Sequence, residues 1–156
     1  MKWSDYMKVL VTGVKGQLGY DCVNELRKRG HEAVGVDIEE MDITDAASVD
    51  SVIRETNPDA VIHCAAWTAV DAAEEEDNKE KVRLVNAVGT QNIADVCRDL
   101  DCKMLYLSTD YVFDGQGTKP WQPDCTDYKP LSVYGETKLA GELAVSRTLD
   151  KYFIVR

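Results

Sequence analysis

Short apolar runs alternate along this chain with longer segments in which apolar side chains recur at helical spacing. Lys8–Thr12 is a β-branched run that stops at a glycine, and residues 17–29 then repeat apolar positions as a helix does. The same alternation continues to the end. It predicts strands at 8–12, 32–37, 60–63, 103–107 and 152–155, and helices at about 17–29, 45–56, 79–100 and 133–149. Strands separated by helices are typical of a doubly wound parallel sheet with helices on both faces, so the predicted fold class is α/β.

Residues with special backbone preferences mark the ends of these elements. Gly30 stands where a helix C-terminal glycine is expected, and Thr44 or Asp45 can cap the second helix. Asn57 and the proline after it end that helix. The acidic run 74–77 is predicted to be the solvated start of the long helix, where negative charge complements the helix dipole. Residues 114–130 are rich in turn formers and are predicted to be a loop.

Charge and hydropathy restrict the class of partner. The formal net charge is -10, which argues against a nucleic acid, because such binding depends on Lys and Arg neutralising phosphates. A small phosphorylated ligand remains compatible, since backbone N–H groups at a helix N-terminus can hold it. No apolar run approaches the roughly 20 residues of a membrane helix, and no signal core precedes the first strand. The sequence therefore predicts a cytoplasmic protein without a membrane partner.

Chain length and cysteine usage indicate one domain. The 156 residues fit a single domain, and Met7 would serve as a natural start, so residues 1–6 are predicted to be an extension and 7–156 the domain. The five cysteines are odd in number and contain no Cys-x-x-Cys pair. They are interpreted as reduced packing residues, and no metal site is predicted. A homodimer is compatible with the sequence, which leaves the oligomeric state open.

A glycine-rich loop lies between the first predicted strand and the first predicted helix. Gly13, Gly16 and Gly19 follow the spacing G-x-x-G-x-x-G. In this setting the first glycine permits a tight turn, the second lets the backbone approach a pyrophosphate, and the third lets the helix pack closely on the sheet. The loop therefore predicts a Rossmann-like dinucleotide site, the alternative being a glycine turn in some other α/β protein.

Asp37 ends the second predicted strand, where an acid accepts hydrogen bonds from the adenosine ribose. Its carboxylate should repel a 2′-phosphate, which favours NADH. Lys15 in the glycine loop could partly neutralise that phosphate, so NADPH remains an alternative.

Tyr134 and Lys138 are spaced i and i+4 and therefore share one face of the last predicted helix. The preceding strand ends in a polar segment that contains Thr109, and ligands bind at such strand ends. A nearby Lys⁺ should lower the pKa of the phenol, and the threonine hydroxyl could hold a substrate carbonyl. The alternative is an exposed helix pair without a function.

Three longer strings carry a resemblance to a known family: residues 61–71, 108–115 and 133–142. With the glycine loop they resemble the extended short-chain dehydrogenase/reductases and, more specifically, the dTDP-4-dehydrorhamnose reductase family. The resemblance runs from about residue 7 to the last residue and covers about the first half of a family member. Family members continue into a smaller C-terminal region that binds the nucleotide and the sugar. The chain is therefore expected to stop before that substrate-binding region.

The resemblance implies NAD(P)H-dependent reduction of the C4 keto group of dTDP-4-dehydro-L-rhamnose, or of a similar nucleotide sugar, to give dTDP-L-rhamnose. It implies the catalytic residues Thr109, Tyr134 and Lys138. It implies cofactor contacts at Gly13, Lys15, Gly16, Gln17, Leu18, Gly19, Asp37, Asp42, Ile43, Ala65, Ala66, Thr68, Tyr134 and Lys138. It implies substrate contacts at Val70, Thr109, Asp110 and Tyr111. Ala72 departs from the family, which often has Lys there.

Two other functions stay open at this stage: that of another nucleotide-sugar epimerase or dehydratase, and that of a regulatory subunit. Nucleotide-sugar dehydratases share the Thr-Asp pair but follow it with a Glu base, where this chain has Tyr111, so reduction is favoured over elimination. A non-catalytic dinucleotide-binding subunit, similar to the β subunit of methionine adenosyltransferase, is the alternative from another class. His63 is interpreted as a packed residue lining the cofactor site. Trp67 and Trp121 could each be a core or loop anchor, and neither is assigned a stacking role.

Overall fold

In the computed structural model, which describes residues 6–156, five strands form one parallel sheet. The strands are β1 (Lys8–Thr12), β2 (Glu32–Val36), β3 (Ala60–His63), β4 (Lys103–Leu107) and β5 (Tyr152–Val155). Their order is β2-β1-β3-β4-β5. This confirms the predicted α/β class. Residues 1–5 of the predicted extension lie outside the described residues.

The helices connect these strands. They are α1 (Gln17–Lys28), α2 (Ala46–Thr56), α3 (Val70–Ala73), α4 (Glu76–Arg83), a π-helical turn (Leu84–Val88), α5 (Gly89–Asp99), a 3₁₀ turn (Asp110–Val112) and α6 (Val133–Thr148). Both α3 and the 3₁₀ turn were absent from the sequence prediction, because neither is long enough to show a periodic pattern. Within residues 6–156, no helix combines the length and the apolar character needed to cross a membrane.

Successive residues of β1 face opposite sides of the sheet, as the period of two in a strand requires. Leu10 packs into a large core with residues of α2, α5 and α6, including Ile53, Ile93 and Val145. Its neighbours Val9 and Val11 pack instead against α1 on the other face. Both faces of the sheet are therefore covered, as the alternation of strands and helices predicts.

The predicted element ends are confirmed at three positions. Gly30 adopts the left-handed region with φ +84°, directly after α1. The Asp45 carboxylate accepts a hydrogen bond from the Ala47 N–H at 2.9 Å and so caps α2. Asn57, with φ 46°, ends the same helix in a left-handed conformation.

The long helix differs from its prediction in three ways. It begins at Glu76 rather than near residue 79, with the acidic run at its first turn as predicted. It is interrupted by the π-helical turn, which rotates the apolar face, so that Val88, an apolar residue of the helical pattern, is exposed. The same turn directs Asn86 inward, where it is 1% exposed. Such interruptions occur frequently at functional sites.

Candidate active site

The carboxyl ends of the parallel strands open into a cavity of about 860 Å³. From β1 the chain passes first to β2 on one side of it and then to β3 on the other side. Ligands of doubly wound sheets bind in the crevice that this change of direction creates. Every position for which the sequence predicted a cofactor contact lines this cavity: Gly13, Lys15, Gly16, Gln17, Leu18, Gly19, Asp37, Asp42, Ile43, Ala65, Ala66, Thr68, Tyr134 and Lys138. The size and position of the cavity fit a dinucleotide.

The glycine loop brings backbone together where side chains would prevent it. Gly13 has φ +71°, and a Cβ added there would lie 2.8 Å from the Ala65 Cα. A Cβ on Gly19 would lie 2.3 Å from the Gly13 carbonyl oxygen, so α1 approaches the loop closely. No side chain caps the N-terminus of α1, and its first turn contains no acid. The N–H groups of that turn are therefore suited to an anion such as a pyrophosphate.

Asp37 lies directly after β2 at one end of the cavity. Its carboxylate accepts hydrogen bonds from the Lys15 N–H and the Ile38 N–H, both at 2.9 Å. These bonds orient the side chain beside the glycine loop. The Lys15 ammonium is paired with the Glu39 carboxylate.

Lys138 is buried at the opposite end, 3% exposed. Its ammonium donates a hydrogen bond to the Leu107 carbonyl oxygen at 2.5 Å and lies 4.3 Å from the centroid of the Tyr106 ring. Burial lowers the pKa of Lys138 to about 8, against the opposing effect of the Glu142 carboxylate. This burial excludes the alternative of an exposed helix pair.

The Tyr134 phenol is half-buried near Lys138. The sequence predicted a lowered pKa for this phenol, and the net direction in the structure is the opposite: burial raises the pKa, and the Thr109 hydroxyl lowers it only in part. The reason is that burial, the largest of these effects, disfavours the charged phenolate. Tyr134 is therefore protonated at neutral pH.

The residues predicted to contact substrate lie beside the cavity and not in its lining. Thr109, Asp110 and Tyr111 follow the lining residue Ser108, at the start of the 3₁₀ turn. Tyr111 meets Tyr134 edge-on, with ring centroids 5.8 Å apart. Val70 begins α3. Thr109, Asp110 and Tyr111 therefore lie next to the Tyr134 side chain.

His63 is a packed residue, as predicted, but it is not among the residues that line the cavity, because its ring is buried beneath them. Its Nδ1 is 2.8 Å from the Thr12 hydroxyl, which also accepts hydrogen bonds from the N–H groups of Cys64 and Ala65. Its Nε2 is 3.1 Å from the Thr90 hydroxyl, which donates to the Asn86 carbonyl. The directions agree only if Nδ1 accepts and Nε2 donates, which describes a neutral imidazole. Burial accordingly lowers the pKa of His63 to about 3.

Asn86 was missed by the sequence analysis. Its carboxamide accepts from the Trp67 N–H at 2.8 Å and donates to the Trp67 carbonyl and to the Thr137 hydroxyl, both at 3.2 Å. It thereby ties the loop after β3 to the helix that carries Tyr134 and Lys138. A polar residue inside an apolar helical pattern is the signal that could have identified it.

A second missed group lies behind Lys138. Glu142, 2% exposed, accepts hydrogen bonds from the Ser108 hydroxyl and from the Arg156 guanidinium, the latter at 2.7 and 2.8 Å. That guanidinium lies 5.4 Å from the centroid of the Phe113 ring, on which Trp121 stacks at 4.5 Å. Trp121 is thus an anchor of the 114–130 loop, and it stacks on Phe113 although the sequence assigned it no stacking role, because the two rings meet only in the folded loop. The group fixes the end of β4 beside Thr109.

Comparison with known proteins gives the family. Residues 7–156 match the family model described as the RmlD substrate binding domain. The chain belongs to the RmlD substrate binding domain family. Membership confirms the resemblance seen in the three sequence strings.

Individual relatives agree with this assignment. The chain is 44% identical over 148 residues to a dTDP-4-dehydrorhamnose reductase of Streptomyces griseus, covering 94% of this chain and 48% of the relative. It is 41% identical to a dTDP-4-keto-6-deoxy-D-glucose reductase of Streptomyces niveus, covering 94% and 50%. A crystal structure of dTDP-4-dehydrorhamnose reductase from Bacillus anthracis in complex with NADP has a TM-score of 0.91 at 37% identity, covering 96% and 53%. This member of the RmlD substrate binding domain family spans about half the length of the curated relatives it matches.

Proposed function

We propose that the full-length protein is an NAD(P)H-dependent reductase of the C4 keto group of dTDP-4-dehydro-L-rhamnose, giving dTDP-L-rhamnose. The observation that carries the proposal is the meeting of Tyr134 and Lys138 with the glycine loop in one cavity, with Thr109 beside the phenol. The relatives named as reductases of dTDP-linked 4-keto-6-deoxy sugars support the substrate class.

The cavity has a suitable group for three parts of a nicotinamide dinucleotide. The uncapped start of α1 suits the pyrophosphate, Asp37 the adenosine ribose, and Lys138 the nicotinamide ribose. The relative in complex with NADP supports this cofactor class. Bound in its reduced form, the nicotinamide would supply the hydride. NADH is the proposed preference, because the Asp37 carboxylate disfavours a 2′-phosphate.

Side chains of the protein would then supply the proton and orient the substrate carbonyl. The Thr109 hydroxyl would donate a hydrogen bond to the carbonyl oxygen and hold it beside the phenol. Tyr134 would transfer its proton to that oxygen, and its raised pKa keeps the proton in place until the reaction. The Lys138 ammonium would stabilise the phenolate that is left, since charge interactions are strong where water is excluded.

Two variants of the full-length protein test this proposal, with absorbance of NADH followed in the presence of dTDP-4-dehydro-L-rhamnose. Tyr134→Phe keeps the ring but removes the acid, so turnover should fall by about 10² to 10⁴ while the Kd of NADH changes little. Lys138→Met should reduce turnover and also weaken NADH binding. Tyr152→Phe, a change to a tyrosine on β5, is the matched control and should behave as the unmodified protein.

Two results would contradict the proposal. Full activity of Tyr134→Phe would show that the phenol is not the acid. If the unmodified protein binds NADH but reduces no nucleotide-linked keto sugar, the dinucleotide-binding regulatory subunit becomes the better reading.

A further inference from the structure

The adenosine end of the cavity contains more negative than positive charge. Of the described residues that line the cavity, two are basic, Lys15 and Lys138, and Lys138 lies at the opposite end. Around Lys15 stand three carboxylates. Asp37 accepts from the Lys15 N–H, Glu40 accepts from the Asp37 N–H at 2.9 Å, and Glu39 pairs with the Lys15 ammonium.

Among the described residues that line the cavity, Lys15 is the one cation at this end, and its ammonium is paired with the Glu39 carboxylate. The pairing raises the pKa of Lys15 and lowers the pKa of Glu39, so both groups are charged at neutral pH. Both side chains are more than half exposed, and exposed pairs of this kind are weak and exchangeable. The pair can therefore change the relative affinity for two dinucleotides that differ by a 2′-phosphate, while either of them still binds.

We propose that Glu39 is a specificity-determining residue, which holds the Lys15 ammonium away from a 2′-phosphate and thereby strengthens the preference for NADH over NADPH. This inference rests on the proposed function, because it requires a dinucleotide in the cavity. Its action differs from that of Asp37. Asp37 would repel the phosphate directly, whereas Glu39 competes with the phosphate for the same cation.

The test is the ratio of the Kd of NADPH to the Kd of NADH, measured by titration calorimetry on the full-length protein. Glu39→Gln should lower this ratio by about two- to fivefold, mainly through tighter NADPH binding, since an exposed ion pair contributes little more. The matched control is Glu76→Gln. It removes one carboxylate from an exposed pair with Lys79, at 2.7 Å, and causes the same change in net charge outside the cavity lining. Its ratio should equal that of the unmodified protein.

A second pair of variants asks whether Glu39 acts through Lys15. In a Lys15→Gln background no cation remains to be released, so adding Glu39→Gln should leave the ratio nearly unchanged. An equal decrease with and without Lys15 would overturn the inference in favour of direct repulsion by Glu39. An unchanged ratio in Glu39→Gln alone, with both dinucleotides bound, would overturn it as well and leave the proposed function intact. If the unmodified protein binds neither dinucleotide, the proposed function fails and this inference fails with it.

Discussion

His63 lies at the end of β3, where its Nδ1 accepts a hydrogen bond from the Thr12 hydroxyl and its Nε2 donates one to the Thr90 hydroxyl. This arrangement holds a neutral ring, and burial lowers the pKa of His63 to about 3 in the folded protein. In the unfolded chain an unperturbed histidine has a pKa near 6.5. As pH falls from 6.5 towards 3, His63 therefore binds a proton in the unfolded state but stays neutral in the folded state.

We expect a corresponding loss of stability in mild acid. Because the unfolded state binds more protons in this window, the free energy of unfolding should fall by about 1.4 kcal/mol per pH unit, or roughly 2 kcal/mol between pH 6.5 and 5. Urea unfolding followed by circular dichroism at several pH values measures this slope. His63→Gln keeps a donor and an acceptor but does not titrate, so its slope should be shallower by that amount. Equal slopes in the two proteins would contradict the neutral, buried imidazole.

At the scale of elements, the start of α6 and the 3₁₀ turn at Asp110–Val112 pack backbone against backbone. A Cβ added to Gly135 would lie 2.4 Å from the Tyr111 carbonyl oxygen, which is far inside contact distance. Ser132 caps the same turn of α6 by accepting from the Gly135 N–H at 3.1 Å. The helix that carries Tyr134 thus sets the position of the turn that begins with Thr109.

We predict that Gly135→Ala moves the Thr109 hydroxyl away from the Tyr134 hydroxyl. The turn has to shift because the blocking atom belongs to the backbone, and misplacement by about 1 Å can reduce catalysis by roughly 10²-fold. Steady-state kinetics of the full-length protein should show a lower kcat, with the Kd of NADH preserved because the glycine loop is untouched. Glu136→Ala, an exposed change on the same turn of α6, is the control. Equal kcat values for the two variants would refute the role given to this contact.

At the scale of the whole molecule, the cavity is built from parts that are distant in sequence. The glycine loop follows β1, Asp37 follows β2, and Lys138 comes from α6. A ligand that contacts all three binds the folded state and not the unfolded chain. Binding should therefore stabilise the entire domain rather than one segment.

Thermal unfolding tests this coupling. NADH at a hundred times its Kd should raise the free energy of unfolding by about 2.7 kcal/mol, which corresponds to roughly 5 to 10 °C in Tm for a domain of this size. Asp37→Ala should show a smaller shift at the same NADH concentration, because the ribose contact is lost. Absence of any shift in the unmodified protein at saturating NADH would show that the cavity does not hold this ligand.

The sequence by itself determined the features that depend on near neighbours. Strand, glycine turn and helix follow one another within a short stretch, and the i, i+4 spacing places Tyr134 and Lys138 on one helix face, whatever the rest of the chain does. The alternation of strands and helices likewise restricted the fold to a doubly wound sheet, since parallel strands need crossover connections. The element order was predictable for this reason, whereas the full set of cavity-lining positions was expected only from the family resemblance.

Only the tertiary structure decided which residues make contact when they are far apart in the sequence. Thr12 and His63 meet over 51 residues, as do Asn86 and Thr137, and the π-helical turn that directs Asn86 inward does not follow from the apolar pattern. The direction in which the pKa of Tyr134 shifts was also decided by the tertiary structure, because desolvation depends on which elements pack around the ring. Burial, pairing and charge are properties of assembled neighbours, and a linear pattern specifies such neighbours only where they are close along the chain.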